Sequence, residues 1–115
     1  MEECYLAYGQ IETNWSLRKL LSVFSNSRAQ IRESSLYRDE EYLLISGAQD
    51  AQVSFERIAE DEILIRGDAS SKDELTSICN SVSTVLSLQN HKHRIELYDE
   101  KHLLFGYYHI TWPLS

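Results

Sequence analysis

Ser71-Lys72-Asp73-Glu74-Leu75-Thr76-Ser77-Ile78-Cys79-Asn80-Ser81-Val82-Ser83-Thr84-Val85-Leu86 is the stretch from which the architecture can be read. It opens with a capping box, in which the Ser71 hydroxyl satisfies one free amide of the first turn and Glu74, three residues on, reaches back to another. Leu75, Ile78, Cys79, Val82, Val85 and Leu86 then recur at helical spacing, with serines and an asparagine filling the opposite side. The pattern predicts an amphipathic helix that packs through that stripe on a sheet. Cys79 lies within the stripe, where a thiol behaves as a small apolar side chain.

Working outward, the chain before this helix reads as strands separated by short charged turns. Runs from about Ile31 to Tyr37 and Tyr42 to Ile45 flank Arg38-Asp39-Glu40-Glu41, and runs from about Gln52 to Ile58 and Ile63 to Arg66 flank Ala59-Glu60-Asp61-Glu62. Val53 and Phe55 alternate with polar residues, as in a sheet with one buried face. Four such runs suggest an antiparallel meander. Toward the N-terminus, Cys4 to Ile11 reads as another strand. Asn14 is then placed to cap a helix whose face is Leu17, Leu20, Leu21 and Phe24. Toward the C-terminus, His93 to Tyr98 and Leu103 to Thr111 form a hairpin across Asp99-Glu100-Lys101. Gly106 marks a bulge or a close backbone approach, and Pro113 ends the pairing. The expectation is one α+β domain over residues 1–115, with two helices packed on a mainly antiparallel sheet.

Composition narrows the function. The 115 residues are 43% hydrophobic and 25% charged, with seven tyrosines, which suits a packed core and argues against disorder. Eleven Lys and Arg against eighteen Asp and Glu give a formal net charge of −7. A surface of that sign repels phosphate backbones and anionic head groups, so it argues against direct contact with nucleic acid or membrane and favours a basic partner. Solubility alone is the plainer use of such acidity. No apolar run approaches a membrane span, Met1-Glu2-Glu3-Cys4 lacks the basic start of a secretion signal, and Cys4 and Cys79 make no disulfide framework. A cytoplasmic protein is expected.

No catalytic signature emerges, and no cofactor or metal is expected. The four glycines form neither a phosphate loop nor a nucleophile elbow. His91 and His93 are two apart, so on a strand they share a face, and His102 or His109 approaches across the hairpin. That is a candidate metal or acid–base cluster, although His91-Lys92-His93-Arg94 is equally a basic junction favoured at a helix C-terminus. Arg66-Gly67-Asp68 follows a strand and precedes a helix cap, so it reads as a turn. The acidic turns are the stronger clue. Asp39, Glu40 and Glu41 form one cluster, Glu60, Asp61 and Glu62 another, and Asp99 and Glu100 a third, with Tyr37, Tyr42 and Tyr98 among the residues beside them. Carboxylates with tyrosines suit recognition of a basic protein, the charges steering and the rings supplying contact area. The alternative is solvated turns whose tyrosines enter the core.

Glu62-Ile63-Leu64-Ile65-Arg66-Gly67-Asp68, the capped helix from Ser71, and His93-Arg94-Ile95-Glu96-Leu97-Tyr98-Asp99 leading to Trp112 together resemble the small immunity proteins of bacterial polymorphic and contact-dependent toxin systems. The likeness covers about half the chain and consists mainly of a strand–helix–strand pattern. It implies a short, acidic, cytoplasmic, non-catalytic protein that binds and blocks a cognate toxin, often a nuclease with a basic active site. The alternatives are a small enzyme using the histidines and a structural or regulatory subunit that assembles through a sheet edge.

Overall fold

The computed structural model describes residues 4–24, 28–36 and 38–112. Strands β1 (Tyr5–Glu12), β2 (Arg28–Glu33), β3 (Glu41–Ser46), β4 (Gln52–Ala59), β5 (Glu62–Ala69), β6 (Lys92–Tyr98) and β7 (Leu104–Ile110) form one antiparallel sheet in the order β2-β3-β4-β5-β1-β6-β7. Helix α1 (Leu17–Val23) follows β1, and α2 (Lys72–Leu88) follows β5. The chain is therefore a single α+β domain, with the expected meander as β2 to β5. The first strand is inserted between β5 and β6.

Both helices lie on the same face. Ala7, Ile11, Leu43, Ile45, Val53, Phe55, Ile63, Ile65, Ile95 and Leu97 alternate along their strands into a core shared with Leu17, Leu20 and Phe24 of the α1 segment and with Leu75, Ile78, Cys79, Val82 and Leu86 of α2. The α2 stripe faces the sheet as its spacing predicts, with Val85 half-buried at the margin. Burial pushes the Cys79 thiol up to about 12, so it stays protonated and inert. The alternate residues, among them Leu6, Tyr8, Gln10, Leu44, Ser54, Leu64, Arg66, Arg94, Glu96 and Tyr98, form the opposite face, half-buried or exposed. Among the described residues no helix covers that face.

Local chemistry sets the helix ends. Ser71 Oγ accepts from the Glu74 amide at 3.3 Å, and Asp73 and Glu74 sit in the first turn, where negative charge complements the helix dipole. At the other end Asn90 takes a left-handed conformation, φ 58°. The Asn90 and His91 amides donate to the Ser87 and Leu86 carbonyls at 3.0 Å each, the pattern of a Schellman motif.

Several sequence expectations are corrected. Ser16, not Asn14, caps α1, accepting from the Lys19 amide at 3.1 Å. Residues before it are already committed, with the Thr13 amide donating to Asp61 O at 2.9 Å and the Trp15 amide to Thr13 Oγ1 at 3.1 Å. The strand expected over Ile31–Tyr37 is Arg28–Glu33, because the chain turns at Ser34, whose amide donates to Glu40 O at 2.9 Å. Arg66-Gly67-Asp68 is not a turn but the interior of β5. Gly67 serves close packing there, since a β-carbon would meet Gln52 O at 3.1 Å and the Ala7 β-carbon at 3.2 Å. The bulge in β7 falls at Phe105, next to Gly106, because Leu97 of β6 pairs with Gly106 and Tyr98 with Leu104. Pro113 lies outside the described residues.

Glycine is obligatory at one position. A β-carbon on Gly9 would lie 1.9 Å from the Arg94 carbonyl oxygen, a clash with backbone rather than with a movable side chain. Gly9→Ala therefore costs more than the about 1–3 kcal/mol of ordinary overpacking, whereas Gly106→Ala, whose β-carbon would stand 3.5 Å from Leu97, is tolerated. Urea unfolding of the two variants checks the contrast. A second expectation concerns α2. Val82 is 1% exposed, and Val82→Asp strands a charge in the core at a cost of several kcal/mol, comparable to the whole stability of a small domain. Its circular dichroism should be that of an unfolded chain at 25 °C, while Val82→Ala retains a cooperative transition.

Candidate functional site

The strand registers bring the first two acidic turns to the same end of the sheet, because Glu33 pairs with Glu41, Ala59 with Glu62, and Glu12 with both Glu62 and Lys92. Arg57 locks them together. The β4–β5 ladder shifts register between Arg57 and Ala59, and the Arg57 side chain, 11% exposed, turns inward beside the start of α1. Its Nη1 donates to the carbonyls of Thr13 (3.3 Å), Ala59 (2.9 Å) and Glu60 (2.8 Å), and its Nη2 donates to the Trp15 carbonyl. Its Nε lies 3.8 Å from Asp39 Oδ2. From the neighbouring turn Arg38 donates to Ile58 O at 3.3 Å. One planar guanidinium thus satisfies carbonyls from both the β1–α1 connection and the β4–β5 turn, and it adds a charge contact to the β2–β3 turn.

The residues singled out from sequence divide accordingly. Asp39 and Glu41 are engaged internally, the latter with Arg18 Nη2 at 2.9 Å. Glu62 is half-buried and accepts from Gln10 Nε2. Glu40, at φ 58°, and Glu60 and Asp61 are exposed, and among the described residues none of the three has an ion-pair partner. Tyr37 lies outside the described residues. Tyr42 sits on the uncovered face of the sheet, where with Leu6, Tyr8, Leu44, Arg66 and Asp68 it lines a hollow of about 440 Å³. Asp99 and Glu100 are at the opposite end. Asp99 Oδ1 accepts from the Lys101 and Leu103 amides at 2.9 and 3.0 Å, and these bonds hold its carboxyl below the usual range, the Leu103 bond most strongly. That cluster shapes a turn. Tyr98, read beside it, points onto the uncovered face and donates to Glu96 Oε2 at 2.8 Å.

The histidines do not converge. His93 is fully buried on the helix side. Its Nδ1 lies 2.8 Å from the His91 carbonyl and its Nε2 2.8 Å from Ser83 Oγ. A carbonyl only accepts, so Nδ1 carries the proton, and Nε2 accepts from the Ser83 hydroxyl. His91, 7% exposed, packs edge-on against Trp15 with ring centroids 4.4 Å apart, and Lys19 Nζ sits 4.2 Å over the Trp15 ring. Its Nε2 is buried without a hydrogen-bond partner. His102 lies in the far hairpin turn, and His109 projects from the other face opposite Arg94. Among the described residues no group of three His, Cys, Asp or Glu is placed to hold a metal ion, and no helix is long and apolar enough to cross a membrane.

Two features escaped the sequence reading. Ser83 falls eight residues after Leu75, on the apolar stripe, and a hydroxyl there signals a buried partner. The continuous uncovered face, with its chain Glu62–Gln10–Arg94–Glu96–Tyr98 across three strands, left no local trace. No protein-family model matches the chain, and neither a curated protein nor a solved structure shows significant similarity to it.

The buried histidines make stability depend on pH. Desolvation lowers His93 from 6.5, opposed by its bond to the His91 carbonyl and reinforced by His109; desolvation, then His93 and Lys19, lower His91. Below 6.5 the unfolded chain takes up protons that the folded chain refuses. The stability they contribute is therefore full above that pH and is lost as pH falls through the folded values. Denaturation midpoints should decline from neutral pH toward about 5, before the carboxylates titrate, and His93→Gln should flatten the decline.

Proposed function

We propose that this is a non-catalytic binding protein that captures a basic protein partner with the acidic end of its sheet. In line with the resemblance to immunity proteins, the partner is a cognate toxin domain neutralised in the cytoplasm. One observation carries the reading: two acidic turns, distant in sequence, are held together by Arg57 and leave Glu40, Glu60 and Asp61 exposed and without ion-pair partners among the described residues. Carboxylates on a rigid frame bind without the entropy cost of ordering loops. The net charge of −7 adds long-range attraction for a cationic surface. Such an array competes for the Lys and Arg that a nuclease uses to hold phosphates, or it occludes them from beside the site. Asp39, Glu41 and Glu62 support the frame, and Tyr42 places an aromatic ring beyond the turn.

A pull-down from the source cell, read by mass spectrometry, identifies the partner. Stopped-flow association is then measured across salt concentrations. The rate should fall as the screening length shrinks from about 10 Å at 0.1 M to about 3 Å at 1 M. Glu40→Lys, and the pair Glu60→Lys with Asp61→Lys, should slow association more than they speed dissociation, with little change in folding stability. Rates indifferent to salt and to all three substitutions would sink the reading.

A further inference from the structure

A seven-stranded open sheet has two edges, and this one guards them unequally. The β2 edge, Arg28–Glu33, carries Arg28, Arg32 and Glu33, charges that discourage pairing with another strand. The β7 edge reads Leu104-Phe105-Gly106-Tyr107-Tyr108-His109-Ile110 and contains no Asp, Glu, Lys, Arg or Pro. A bulge protects only its beginning, at Phe105. From Gly106 to Ile110 it pairs regularly with β6, leaving its outer row of backbone donors and acceptors facing away from the sheet. Gly106, Tyr108 and Ile110 lie on the helix side, and Tyr107 and His109 lie on the uncovered side.

We propose that β7 is a self-association edge. Two copies pair antiparallel, β7 against β7, about a twofold axis at Tyr108, joining two sheets into one. Directly opposite residues in an antiparallel pair share a face, so this axis sets Gly106 against Ile110 of the second copy and Tyr107 against His109. The space over Gly106 is floored by Leu97, 3.5 Å from where a β-carbon would stand, and the second copy's Ile110 fills it. Tyr107 already stacks on its own His109 with centroids 5.2 Å apart, and the pairing extends that row of rings. An axis at Tyr107 would instead draw the Phe105 bulge into the ladder.

Charge argues for a second copy as the occupant. The strand itself is uncharged. Nearby, Lys72, Lys92, Arg94 and Lys101 balance Glu12, Glu96, Asp99 and Glu100, so the edge escapes the acidity of the chain as a whole. Twofold antiparallel pairing also sends the two acidic ends to opposite extremes of the joined sheet, where they neither repel each other nor become covered. The inference stands independently of the partner proposed above.

Sedimentation equilibrium over a concentration series tests it. The wild-type chain should approach twice its 13.4 kDa mass. His109→Lys, exposed and free to change without loss of fold, and Gly106→Ala, which fills the space needed by Ile110, should each weaken association about tenfold or more. Gln30→Lys on the opposite edge should not. Hydrogen exchange should show amides of β7 gaining protection as concentration rises, which needs no variant. A wild type that stays monomeric throughout overturns the proposal, as does a dimer that resists both β7 substitutions. Charge reversal at Glu40 or Glu60 leaves self-association unchanged, so the two proposals fail separately.

Discussion

The approach of β1 to β6 fixes the rest of the molecule. Residue 9 has no room for even one carbon, because the Arg94 carbonyl occupies that space, and the β1–β6 register is set accordingly, with Gly9 opposite Ile95. In a strand, register determines face. Once Gly9 faces the helices, Ala7 and Ile11 do as well, His93, Ile95 and Leu97 follow across one ladder, and Ile63, Ile65 and Gly67 follow across the other. The same register carries Glu12, Glu62 and Lys92 to a common end, so one steric constraint accounts for how the core strands β5, β1 and β6 align.

Polar groups inside this frame are matched to it. Arg57 accepts burial because four carbonyls and a carboxylate surround it, and in return the β4–β5 turn is tied to the entry of α1, with a charge contact to the β2–β3 turn. His93 accepts burial because a carbonyl and a hydroxyl fix its neutral tautomer. Among the described residues, His91 Nε2 is the buried side-chain atom left without a bond, a cost of roughly 1–3 kcal/mol for a neutral group, offset in part by its contact with the Trp15 ring.

Legibility in the sequence followed the range of the interaction. The α2 helix was readable because its cap and stripe are local, within sixteen residues from Ser71 to Leu86, and the meander was readable because its turns are short and charged. The α1 cap was misplaced from Ser16 to Asn14 because the choice between two capping residues was made by Thr13 bonding to Asp61, far along the chain. Gly67 reads as a turn because a glycine that permits close packing looks the same in sequence as one that permits a bend. The acidic turns are visible as clusters, and the alternation of an antiparallel meander puts the first and third turns at one end; the Arg57 contacts between them are not visible, since no neighbouring residue marks the inward rotation of that side chain. The separation of the histidines onto two faces and two ends has the same non-local origin.

Insertion of β1 between β5 and β6 also imposes an order of events on a growing chain. The meander from β2 to β5 closes through short loops and assembles as soon as it is made, whereas β1 needs one neighbour from residues 62–69 and another from residues 92–98. At the ribosome's pace of about 5–20 residues per second, Tyr5–Glu12 spends several seconds waiting for its second partner. Throughout that interval a future interior strand is itself an open edge, and the chain is exposed to mispairing at a strand that will finally be paired on both sides.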